Sequence, residues 1–240
     1  MPIREIQSQE TWSSIEDLVE FLIQSRDNRQ TTNLRMGINH AIIFYSACYV
    51  ESVMEQVLKT ILARRRKVFN RIKMSKLDDL RTTNFLFAAL EEDIRIRISR
   101  STGIVPYLDL IRLLTDTTPD TTVVRNEKVA RLLEGTQVLF AFRNVLAHGR
   151  EVYATRLSAY WIQEPWQESF SGGYKQAEQY LIKLRLLDRP FMDSDKIDLF
   201  FTDSIADHFW TLARDFITAI TKSLEDKDRR SVIQALSQHA

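Results

Sequence analysis

Chain breakers are scarce in this sequence: 240 residues hold only 6 glycines and 5 prolines. A sheet protein with many hairpins draws heavily on both residues at its turns, whereas long helices joined by few turns do not. The expectation is an all-α chain. Hydrophobic residues make up 44% and charged residues 27%, the balance of an ordinary globular protein. A core of useful size is therefore available, and disorder is not expected over most of the length. One domain over 1–240 is expected, with its core over 13–224 and a flexible tail over 225–240.

Apolar periodicity marks the helices. Ser13 and Glu16 stand in capping-box spacing ahead of Ile15, Leu18, Val19, Leu22 and Ile23. After the polar stretch RDNRQTTN, a long helix is predicted over Leu34 to Lys67, ending in Arg64, Arg65, Arg66 and Lys67. Two readings of that basic run stand: cations favoured at a helix C-terminus by the macrodipole, or a phosphate-contacting patch beside an RNA site. Helices are also predicted over Asn84 to Ile98 and Pro106 to Leu114, with TDTTPDTT as the loop that follows. Pattern resumes near Asn126 and runs to Gly135, where Thr136 is read as the cap of a new segment reaching Gly149. Residues 150–172 read as an irregular or β insertion. Helices follow over Tyr174 to Leu187 and Ser204 to Leu224.

Charge and cysteine content narrow the function classes. Lys and Arg total 33 against 32 Asp and Glu, so attraction to nucleic acid must come from a local cluster. Cys48 is the single cysteine, which fits a reducing compartment. The polar start MPIREIQSQE has no apolar signal core, and no stretch reads as a membrane span. A cytoplasmic protein is expected. His40, His208 and His239 show no metal-ligand spacing with Cys48 or with carboxylates, so neither metal nor cofactor is expected. His208, beside Phe209 and Trp210, reads as a core or interface residue. Tyr160, Trp161, Trp166, Phe170 and Tyr174 can stack on bases or cover a core or dimer face.

The chemistry concentrates in Phe142-Arg143-Asn144-Val145-Leu146-Ala147-His148-Gly149. On a helix, Asn144 and His148 share a face, and the long side chain of Arg143 can swing toward it. His148 falls in the last turn, where the negative helix end favours a charged imidazole. Arg suits bidentate capture of phosphate, Asn can orient a ribose or the imidazole, and His can move a proton near neutral pH.

Arg143-Asn144-x-x-x-His148 resembles the Arg-x4-6-His motif of the HEPN superfamily, in the form with Asn after Arg, Ala before His and Gly after it. GINHAIIFYSACYVESVMEQVL resembles an early helix of those proteins, where a Glu follows an apolar run; Glu51 stands there. The resemblance covers Ile38 to Leu62 and Leu139 to Arg150. It implies a HEPN-like bundle of about five to eight helices that dimerises, two motifs meeting in one composite site. It further implies metal-independent RNA cleavage by 2′-hydroxyl attack, leaving a 2′,3′-cyclic phosphate and a 5′-hydroxyl. Carried over, His148 is general base or acid, Arg143 stabilises the pentavalent phosphate, Asn144 holds His148 or the ribose, and Glu51 orients Arg143 or His148. Some HEPN toxins carry a modifiable Tyr two residues after the His; here Arg150 stands there and offers a further phosphate contact, with Tyr153 the nearest downstream Tyr.

The expected function is an endoribonuclease, a toxin or antiviral effector under the control of an antitoxin or regulatory protein, acting as a homodimer on RNA. Two readings compete with it. One is a HEPN module that binds nucleotide, RNA or a partner without catalysis; the other is a purely structural helical dimer. At Glu51 an ordinary solvated or paired helical glutamate is the competing reading.

Overall fold

The computed structural model describes residues 11–26, 31–72, 85, 88–90, 92–94, 96, 103–115, 127–148, 172–188 and 200–237. Among them the regular structure is helical, with no strand: the chain is all-α. Seven helices have defined bounds, α1 (Thr11–Arg26), α2 (Thr32–Ile72), α3 (Val105–Thr115), α4 (Glu127–His148), α5 (Gly172–Lys183), α6 (Asp203–Ser223) and α7 (Asp226–Ser237). Further helical residues fall between 85 and 96. The expected insertion over 150–172 lies outside the described residues up to the start of α5, as does most of TDTTPDTT.

The packing groups the chain into two compact units. One comprises Met1–Ser13, Glu51–Ala130 and Phe216–Ala240; the other comprises Ser14–Val50 and Arg131–Asp215. In the first, Val53, Met54, Val57, Leu58 and Ile61 of α2 are buried at helical spacing. Tyr107 and Ile111 of α3, Ile220 of α6 and Val232 of α7 are buried in the same unit. In the second, Ile42, Ile43, Ala47 and Val50 of α2 are buried, with Leu139 and Phe142 of α4, Leu181 of α5, and Ile205 and Phe209 of α6. Each fully buried aliphatic or aromatic side chain contributes about 1.5–3 kcal/mol.

Local chemistry sets the helix ends. Thr202 caps α6: its Oγ1 accepts from the amide of Ile205 at 3.4 Å, and Asp203 follows at the first helical position, where negative charge is favoured. Past α5, Arg185 adopts φ 59°. The amide of Leu186 bonds the carbonyl of Leu181 at 2.9 Å and that of Arg185 bonds Ile182 at 2.9 Å, the paired closure of a Schellman motif. Glycine usually fills that left-handed position; an arginine there carries a steric cost of about 1–2 kcal/mol.

Four expectations are corrected. The first helix begins at Thr11, two residues before the Ser13 cap. The long helix runs to Ile72, so Arg64, Arg65, Arg66 and Lys67 lie inside it and not at its end. Gly135 and Thr136 do not separate two segments: α4 is continuous through both. A Cβ at Gly135 would collide with the Tyr180 hydroxyl and lie 2.9 Å from both methyl groups of Leu212, so the glycine there serves close packing. Thr136 Oγ1 donates to the carbonyl of Leu132 at 2.8 Å, satisfying a buried hydroxyl within the helix. Finally, within the expected flexible tail over 225–240, Asp226–Ser237 form α7, in which Asp228 and Val232 are buried.

Candidate functional site

The motif occupies the last turns of α4. Phe142, fully buried, anchors that end of the helix in the second unit. Its ring centroid lies 5.5 Å from Phe200 and 6.0 Å from both Phe201 and Phe209, within the range of favourable aromatic pairs. Beyond this anchor the helix surfaces: Arg143 and Asn144 are half-buried and Ala147 is exposed. The Arg143 guanidinium lies 5.3 Å from the centre of the Phe140 ring, a cation–π contact that restricts a long side chain. Asn144 and His148 stand one turn apart, and His148 is the last described residue of α4. The imidazole of His148, together with Gly149 and Arg150, lies outside the described residues.

A polar cluster ties the aromatic anchor to α1, α2 and α6. Asn39, buried in α2, donates through Nδ2 to the carbonyl of Phe201 at 2.7 Å and to Asp203 Oδ1 at 2.8 Å. Arg26, the last residue of α1 and only 4% exposed, donates to Asn39 Oδ1 at 3.1 Å and pairs with the Asp207 carboxylate at 2.9 Å. Arg35 Nε reaches both Asp203 oxygens, at 3.1 and 3.0 Å. The Arg35 hydrogen bond holds the Asp203 carboxyl down at about 2, against the opposing effect of burial and with help from Asn39 and Arg26. His40 stacks on Phe201 with centroids 5.1 Å apart, and burial lowers its pKa.

These residues stand behind the motif helix, and sequence reasoning did not single out Arg26, Asn39, Asp203 or Asp207. One signal was present: Asn39 interrupts the apolar face of a long helix, and a buried amide requires partners.

Glu51 belongs to the first unit, where the Tyr107 hydroxyl donates to its Oε1 at 3.5 Å, a long contact; Arg143 and Asn144 belong to the second. Arg64 and Arg65 both pair with Asp228, which has no exposed surface. Of the run expected to contact RNA, these two are thus engaged by a carboxylate of the same chain. Arg66 is half-buried and Lys67 exposed. His208 shares a 3.1 Å hydrogen bond with the Tyr180 hydroxyl. Burial lowers the His208 pKa, and burial, with Glu134 adding to it, pushes Tyr180 up to about 12. Both groups are therefore neutral near pH 7. Cys48 is half-buried and in no disulfide. Among the described residues, no helix is long and apolar enough to cross a membrane.

Comparison with known proteins returned no match, whether to protein-family models, to curated proteins or to solved structures.

Proposed function

We propose that the chain is a metal-independent endoribonuclease of the HEPN type, acting as a cytoplasmic homodimer in which two α4 ends form one site. One observation carries this reading. α4 runs unbroken through Arg143 and Asn144 to His148, so a cation, an amide and a proton carrier gather in the last described turns of one helix. The helix carbonyls there favour a charged imidazole. The contact with Phe140 limits the guanidinium to few orientations, and a preorganised cation stabilises developing phosphate charge best. In the proposed reaction one His148 removes the proton of a ribose 2′-hydroxyl, and the oxygen attacks the adjacent phosphorus. The 5′-oxygen leaves with a proton from the His148 of the other copy. Arg143 holds the pentavalent phosphate and Asn144 the ribose or imidazole. A role as toxin or antiviral effector, restrained by an antitoxin or regulatory protein, follows from the same resemblance.

Purified protein incubated with RNA in EDTA is expected to yield 2′,3′-cyclic phosphate ends. His148→Ala and Arg143→Ala are each expected to lose at least about 10²-fold in rate, the low end of what a positioned proton carrier supplies. Equal treatment of RNA by wild type and His148→Ala sinks the reading. RNA binding that depends on Arg143 without any cleavage replaces it with a non-catalytic binding module.

A further inference from the structure

We propose that Arg64 and Arg65 form a phosphate seat that Asp228 of α7 fills in the closed chain, and that an RNA strand competes with α7 for it. RNA as the competing strand rests on the ribonuclease reading; the seat itself does not.

The geometry is specific. Two adjacent guanidinium groups of α2 converge on one carboxylate, Arg65 Nη2 at 3.1 Å from Asp228 Oδ2 and Arg64 on Oδ1. Asp228 is wholly buried, while the Arg64 and Arg65 side chains keep 20% and 35% of their surface. Among the described residues two cations thus face one anion, an excess of one positive charge. Arg65 Nε is also buried and has no hydrogen-bond partner among the described residues. A carboxylate cannot supply every acceptor oxygen this pair of forks can bind, whereas a phosphate, with more oxygens and near-tetrahedral geometry, can.

The element that delivers Asp228 is lightly held. α7 spans 12 residues, and its buried residues are Asp228 and Val232 alone, while Ile233 is half exposed. Leu224 and Glu225 separate it from α6 as a short non-helical link. A short helix with two fully buried side chains and a few half-buried ones, such as Ala235 and Leu236, is of the kind that opens locally, well short of global unfolding. Once it opens, Arg64 and Arg65 are free to take a phosphate of a strand backbone, with the exposed Lys67 further along the same helix.

The test uses the full chain carrying His148→Ala, so that RNA is not cut, and a fluorescein-labelled single-stranded RNA followed by anisotropy over a salt series. Adding Asp228→Asn is expected to tighten binding about ten-fold at low salt. It is also expected to steepen the dependence of log K on log salt by roughly 0.7, the value for one added phosphate contact. Adding Arg64→Ala and Arg65→Ala on top is expected to abolish the gain. In the protein with native Asp228, saturating RNA is expected to speed amide exchange across α7. Unchanged affinity in Asp228→Asn, a gain that survives loss of both arginines, or α7 exchange indifferent to RNA each overturns the seat. Binding is the readout throughout, so failure of the nuclease reading shows only in the EDTA assay and failure of the seat only here.

Discussion

Each unit buries an ionic cluster, and the two are of opposite polarity. In the first, the buried ion is an anion, Asp228, and its partners Arg64 and Arg65 stay partly exposed. In the second, the buried ion is a cation, Arg26, and its partner Asp207 keeps 49% of its side-chain surface. The second cluster balances, with Arg26 and Arg35 against Asp203 and Asp207, and Asn39 bridges both sides. The first does not, since among the described residues two arginines meet one aspartate. A balanced cluster with a bridging amide reads as a tie between helices; an unbalanced one has capacity for a second anion. In both, the ion in the interior depends on partners near the surface. Removing the outer partners should therefore do more harm than removing the buried ion, because it leaves an interior charge uncompensated.

The largest effect tests that asymmetry in the first unit. Arg64→Ala with Arg65→Ala strands Asp228 and is expected to cost about 3–5 kcal/mol in denaturant unfolding. Asp228→Asn, which removes the interior charge and lets both guanidinium groups turn to solvent, is expected to cost only about 1–2 kcal/mol. Equal losses would mean that the carboxylate, and not its isolation, dominates.

The second unit should show the same ordering more weakly. Asp207→Ala leaves Arg26 with Asn39 Oδ1 at 3.1 Å and Asp203 at 3.8 Å, so about 2 kcal/mol is expected, below the 3–5 kcal/mol of a fully broken buried pair. Arg26→Met keeps the volume and removes the charge, leaving the Asn39 carbonyl short of one donor; about 1 kcal/mol is expected. If Arg26→Met proves the more damaging of the two, the polarity argument fails for this unit.

How far the sequence exposes this organisation depends on the range of each interaction. The apolar positions of α2 repeat within single turns, so that helix and the all-α class are legible from periodicity alone. Arg143, Asn144 and His148 are legible for the same reason: their relation is one turn of one helix. Gly135 misleads because a glycine ordinarily marks a helix end, and only the later side chains Tyr180 and Leu212 demand its bare Cα. α7 misleads because DKDRRS is polar throughout, and the partners of its one buried carboxylate lie 163 and 164 positions earlier. Arg26, Asn39 and Asp207 are joined across separations of 13 and 181 residues; no local pattern announces them. The role assigned to Glu51 rests on resemblance alone, since its helical position is compatible with many environments.

The smallest effect separates the clusters by acid. Asp203 is held at about 2 against an ordinary 3.8, chiefly by the hydrogen bond from Arg35. The unfolded chain therefore binds a proton at this residue before the folded chain does. Its stabilising contribution is present above pH 3.8 and is lost as pH falls through about 2. Because 31% of the Asp203 side chain is exposed, solvent screening limits the effect to about 1 kcal/mol. His40 and His208 act at higher pH in the same sense. Burial lowers both from 6.5, so the unfolded state takes up these protons first and stability declines as pH drops below that value. Melting temperature against pH should thus fall in two limbs. His208→Gln is expected to shallow the upper limb, and Asp203→Asn to flatten the lower one while leaving the upper in place. An acid limb that persists unchanged in Asp203→Asn would assign the loss to other carboxylates and remove Arg35 as the tie between the start of α2 and the start of α6.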